Sequence, residues 1–142
     1  MLFSSSLITA VCVQIICQAF KVVFYSLKSG RLSLGYFFTA GGMPSAHSAF
    51  VTSLSVSLGL RHGFSSEFFS IAFVFSLIII YDSIRLRGAV QFHSRILHRL
   101  IQYFPGEKDQ RIPHMVGHSL IEVAAGVAVG ALLAALFTLF LY

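Results

Sequence analysis

Four apolar segments, each near the length of a bilayer crossing, dictate the solvent in which this chain can fold. A spanning helix needs about 20 predominantly apolar residues, and such stretches lie at about 2–27, 44–60, 66–84 and 118–142. The first lacks the basic start of a signal peptide, and its one charge, Lys21, lies near its far end. Composition agrees: 56% of residues are hydrophobic, 11% are charged, and the mean hydropathy is +0.84. A soluble domain carries about 25% charged residues, so this chain lacks the polar surface to cover itself in water. The expected fold class is all-α, an integral membrane helical bundle of about four transmembrane helices plus an interfacial helix. A length of 142 residues allows a single domain over 1–142.

The second segment is the least lipid-like. Pro44 is expected to open its helix and Gly59 and Gly63 to end it, and it carries Ser48, Thr52, Ser53, Ser55 and Ser57. Hydroxyl side chains in such number suit helix packing inside a bundle rather than contact with lipid. Gly126 and Gly130 in the last segment stand at G-x-x-x-G spacing, which lets another helix approach closely. Charge onset at Arg85 is expected to mark the end of the third span. An interfacial helix with Arg85, Arg87, Arg95 and Arg99 then follows, and a loop around Pro105-Gly106.

Four crossings put residues 28–42 and 85–117 on one side of the membrane, with Lys28, Arg31, Arg85, Arg87, Arg95, Arg99, Lys108 and Arg111. The other side has only Arg61. The positive-inside rule makes the basic side cytoplasmic and both termini external. The net charge of +5 is therefore read as topology, and no nucleic acid is expected. Cys12 and Cys17 match neither a zinc pattern nor a secreted disulfide framework.

Ionisable residues in or beside apolar segments are costly and are functional candidates by default. Lys21, His47, Asp82, His118 and Glu122 qualify, and the four-span topology brings the first four to one membrane face. Gln14, Gln18 and Lys21 share a helix face by i, i+4, i+7 spacing; Lys21 is either part of an inward polar face or a snorkelling topology marker. In the run Gly41 to Ser48, glycines permit close backbone approach to a ligand, and the following helix N-terminus favours anions. His47 in its first turn is a candidate proton donor, the plainer reading being an ordinary turn and cap. Glu122 lies one turn after His118, so its carboxylate can fix the imidazole tautomer and leave the other nitrogen nucleophilic, or the pair only pins helices together. An arginine near Asp82 can hold phosphate bidentately.

These residues resemble the divergent branch of the type 2 phosphatidic acid phosphatases, relatives of the vanadium-dependent haloperoxidases. The matching elements, in order, are Gln18-Ala19-Phe20-Lys21, Gly42-Met43-Pro44-Ser45-Ala46-His47-Ser48, Tyr81-Asp82, Arg87, and Gly117-His118 with Glu122-Val123 and Gly126. The resemblance implies that His118 attacks phosphorus to form a phosphohistidine, that Glu122 orients it, and that His47 protonates the leaving alcohol. It assigns phosphate binding to Lys21, Ser45 and Arg87, with Asp82 orienting the arginine, and implies no metal or cofactor. Gly88, His93 and His98 stand where the branch usually has Arg, Gln and Asn. The superfamily arginine six residues before the attacking histidine falls on Ile112, so the phosphate-binding arginine is Arg87 or Arg111.

The expected reaction is hydrolysis of a lipid phosphomonoester, with phosphatidylglycerophosphate the leading substrate. The expected setting is a bacterial inner membrane with the site facing the cytoplasm. The expected partners are the lipid bilayer and a membrane phospholipid; a homo-oligomer is left open. Three other readings stand beside it: a polyprenyl phosphate or diphosphate phosphatase, a metal-binding or transport protein using His114, His118 and Glu122, and a non-catalytic bundle.

Overall fold

A computed structural model describes residues 4–32, 35, 37, 42–101, 103 and 118–141, apart from the side chains of Arg87 and Leu141. Among the described residues four α-helices follow one another: α1 (Ser5–Ser29), α2 (Ala46–His62), α3 (Glu67–Ile101) and α4 (Leu120–Leu141). Local chemistry fixes most of their ends. Ser4 caps α1 by accepting from the Leu7 N–H, and Gly30, at φ 68°, closes it by donating to the Leu27 carbonyl, a left-handed end that glycine adopts at no steric cost. Ser45 caps α2 by accepting from the Ser48 N–H, so Pro44 lies before the cap rather than inside the first turn. Ser66 accepts from the Phe69 N–H at the head of α3.

Helices α1, α3 and α4 are long and apolar enough to cross a membrane. Helix α2, with 17 residues, extends about 26 Å at 1.5 Å per residue. It stands at the centre, packed against all three others. Its environment is protein, so its hydroxyls find partners. Ser55 and Ser76 of α3 hydrogen bond at 2.8 Å, and Ser57 donates to Ser6 of α1 at 3.1 Å and accepts from Thr138 of α4 at 3.5 Å. The expectation from its serines holds.

The seam between α2 and α4 is the tightest in the bundle. A Cβ on Gly126 would collide with the Ser45 carbonyl oxygen, and one on Gly130 would lie 2.5 Å from the Ala49 carbonyl oxygen. The G-x-x-x-G pair therefore admits α2, whose Ala46 and Ala49 are fully buried with Val13 and Cys17 of α1. Ser57 meets Thr138 81 positions away, the same offset that relates Ser45 to Gly126 and Ala49 to Gly130. A constant offset means that α2 and α4 run parallel, with both N-termini at one end.

One expectation is corrected. No separate interfacial helix begins at Arg85, because α3 continues without a break for 35 residues to Ile101. Charge alone does not stop a helix. Residues 84–101 are mostly good helix formers, and a single interior glycine such as Gly88 costs about 1 kcal/mol, which does not end a helix of this length. Pro105, Gly106, Lys108 and Arg111 lie outside the described residues.

Candidate active site at the histidine end of the bundle

The parallel seam carries the site. His47 stands in the first turn of α2 and His118 immediately before α4, and their ring centroids are 6.5 Å apart, edge to face. His118 is buried, and its Nδ1 lies 3.0 Å from Glu122 Oε2. An Nδ1–H donated to that carboxylate leaves the Nε2 lone pair as the basic and nucleophilic position. Helix α4 begins two residues later than the sequence suggests, at Leu120, yet the His118–Glu122 contact still forms.

Glu122 has a second task that the sequence reading missed. Its Oε2 also accepts from the Ser119 N–H at 3.1 Å, while Ser119 Oγ accepts from the Glu122 N–H at 3.3 Å. This is a capping box, readable from the S-x-x-E spacing. One carboxylate thus starts the helix and holds the imidazole, so the ring's position is tied to the helix end.

Two backbone bonds lock the surrounding elements. The Ser45 N–H donates to the Glu122 carbonyl at 3.0 Å, and the His118 N–H donates to the Ser83 carbonyl of α3 at 3.4 Å. Ser45 is fully buried and its Oγ also accepts from the Ser48 hydroxyl at 3.0 Å. No motif could reveal Ser83, since any residue there offers a carbonyl.

Lys21 reaches the same end from α1. It is only 2% exposed, and its ammonium lies within electrostatic range of Glu122 and Cys17. It is therefore not a snorkelling surface lysine. Gln14 and Gln18 above it are half-buried. One turn beyond Lys21, Tyr25 packs on Gly42: a Cβ there would lie 2.5 Å from the phenol oxygen, and the glycine has φ 80°. Any side chain at position 42 would meet both obstacles.

The structure does not bring every expected residue to this cluster. Asp82 is exposed on α3, one residue from the buried Ser83, and the helix turns it away from the histidines. The Arg87 backbone continues α3 beyond Ser83, and its side chain lies outside the described residues, as do Gly41, Arg111, His114 and Gly117. Electrostatically, the α2 and α4 N-termini converge on the two histidines. Each helix presents roughly half a positive charge there, and with Lys21 the site is suited to an anion.

A helical bundle of this kind, with three helices long and apolar enough to cross a membrane, defines an integral membrane protein, and at one end of it a buried histidine–carboxylate pair lies where two helix N-termini meet. The chain belongs to the Divergent PAP2 family, whose model matches residues 3–133, a span that includes Lys21, His47, His118 and Glu122. It is similar to the "Uncharacterized membrane protein YuiD" of Bacillus subtilis (strain 168), with 30% identity over 141 residues and 89% of each chain covered. No solved structure matches it. The resemblance drawn from the motifs and the all-α membrane bundle are both borne out.

Proposed function

We propose that this protein is a lipid phosphate phosphatase that hydrolyses a phosphomonoester through a phosphohistidine on His118. The observation that carries the reading is the His118 Nδ1–Glu122 contact of 3.0 Å with the His47 ring 6.5 Å away. It supports a nucleophile held by a carboxylate with a second imidazole beside it to serve as proton donor. In the first step His118 Nε2 attacks phosphorus, the bond from phosphorus to the lipid oxygen breaks, and protonated His47 gives its proton to the leaving alcohol. In the second, neutral His47 takes a proton from water, the water oxygen attacks phosphorus, and the P–N bond breaks to release inorganic phosphate and His118.

Lys21 and the two helix N-termini provide fixed positive potential for the charge that develops on the phosphoryl oxygens. Arg87, one turn along α3 from Ser83, completes the clamp, and Ser45 contributes through its hydroxyl, its N–H being engaged by the Glu122 carbonyl. The basic residues of the segments flanking this end support a cytoplasmic orientation. A phosphate introduced on a lipid by cytoplasmic enzymes must be removed on that side, which favours phosphatidylglycerophosphate as substrate.

The test is phosphate release from phosphatidylglycerophosphate in detergent by the wild type and by His118→Ala. Near-complete loss in the variant is expected, with a ³²P-labelled, acid-labile, base-stable adduct on the wild type only. Activity retained by His118→Ala removes the nucleophile and the mechanism with it.

A further inference from the structure

We propose that an apolar groove between α1, the Met43–Pro44 segment and α4 holds an acyl chain of the phosphate-bearing lipid, so that chain and phosphoryl group occupy one continuous site. The proposal rests on the lipid phosphatase reading and names the part of the substrate that reading leaves unplaced. The groove has a volume of about 440 Å³ and is lined, among the described residues, by Ile16, Phe20, Phe24, Met43, Pro44, Ala125 and Val129, with the Cys17 thiol the least apolar group on its walls. Its volume falls within the roughly 300–1,000 Å³ typical of small-molecule sites.

Direction is the strongest argument for this occupant. On α1, Ile16, Phe20 and Phe24 follow one another at one-turn spacing on a single face, so the wall starts just beyond Lys21 and runs past the ammonium into the span. On α4, Ala125 and Val129 lie three and seven residues past Glu122, about 4.5 and 10.5 Å further along the axis at 1.5 Å per residue. Both walls therefore descend from the polar cluster toward the middle of the bilayer. Met43 and Pro44 close the upper end, directly before Ser45 and His47. A lipid whose phosphate lies between the histidines has its chain pointing down this channel. Phe20 and Met43 are about half exposed, at 53% and 49%, so the groove opens sideways to lipid rather than to water.

The same physics sets what the groove can do. Moving a chain from lipid to an apolar protein wall gains little, because lipid tails are as apolar as the side chains. Its contribution is therefore alignment of the phosphoryl group, and misplacement by about 1 Å can cost on the order of 10²-fold in rate. Filling the groove should act on the turnover of long-chain substrates. The half-buried Ala125, which has no part in the polar cluster, is the position to fill.

The experiment compares wild type and Ala125→Phe on dioleoyl and dihexanoyl phosphatidylglycerophosphate, and maps photolabelling in nanodiscs. The label is a diazirine-tagged acyl chain, carried either by a phosphatidic acid or by the matching diacylglycerol. Expected are a fall of about tenfold or more in dioleoyl turnover, dihexanoyl turnover within about twofold of wild type, and groove labelling that the phosphate-bearing probe gives in excess and Ala125→Phe abolishes. Equal loss on both chain lengths, no loss on either, or groove labelling indifferent to the phosphate overturns the proposal. Should the wild type hydrolyse neither substrate, the phosphatase reading fails, and the labelling alone decides whether the groove binds the chain of a lipid phosphate.

Discussion

Helices α2 and α3 are neighbours in sequence, joined by a short turn, yet they live in different solvents. Helix α2 is 17 residues long, buries Ser48, Ser53, Ser55 and Ser57, and packs against all three other helices. Helix α3 is 35 residues long and leaves Phe73, Val74, Phe75, Leu77 and Ile78 exposed on its outer side. The contrast teaches that hydropathy measures a helix's contact with lipid, not its membership of a membrane bundle. A helix wrapped by others can be short and rich in hydroxyls, because its polar groups pair with neighbouring helices. It can also carry a histidine in its first turn. The helix that meets lipid has no such freedom until it passes the level of His118, where α3 takes up Arg85, Arg95 and Arg99.

If that contrast is right, substitutions at the α2 seam should be felt strongly and those on the outer face of α3 hardly at all. The largest effect is expected from His47→Ala. Loss of the general acid should lower turnover about 10²–10⁴-fold, or about 3–5 kcal/mol of barrier, while thermal unfolding in detergent stays near wild type. Turnover within a factor of a few of wild type would mean that another group protonates the leaving alcohol.

Next comes Gly130→Leu, which drives a side chain into the Ala49 backbone. Overpacking costs about 1–3 kcal/mol where side chains can yield, and a backbone obstacle leaves less room to yield. The expected result is a clearly lower unfolding temperature together with lost activity, since the seam sets the distance between the histidines. Unchanged stability would show that α4 does not approach α2 so closely. Ser76→Ala should cost less. It removes two contacts between α2 and α3, with the Ser55 hydroxyl and the Val51 carbonyl, and interhelical hydrogen bonds in membranes are worth about 0.6 kcal/mol each. A loss of several kcal/mol would mark that serine as more than helix-packing glue. The smallest effect is expected from Phe75→Leu on the outer face, within about 0.5 kcal/mol; strong destabilisation there would reveal a protein partner where lipid is assumed.

Much of the site was legible because its spacing is local. The i, i+4 relation of His118 and Glu122 survives a two-residue shift of the helix start, and the glycines of α4 announced a close neighbour. The capping box at Ser119 was also legible and was overlooked in favour of the imidazole contact. Asp82 illustrates the opposite case. It sits beside Ser83, which does reach the site, but one residue turns a helical side chain by about 100°, and sequence adjacency does not say which face is inward. The end of α3 was misjudged because a change in charge marks a change in surroundings, whereas a helix ends where its backbone pattern is interrupted.

The sequence by itself determined the solvent and the end of the bundle at which most of the chemistry-bearing residues gather, because apolar length and the alternation of crossings depend only on the order of residues along the chain. Tertiary structure alone decided that the neighbour admitted by Gly126 and Gly130 is α2, in a register that sets the histidine rings 6.5 Å apart, and that Lys21 turns inward toward Glu122. Those facts depend on which surfaces fit at contact distance, and a backbone carbonyl that accepts from a distant N–H, as that of Ser83 does, leaves no trace in the identity of its residue.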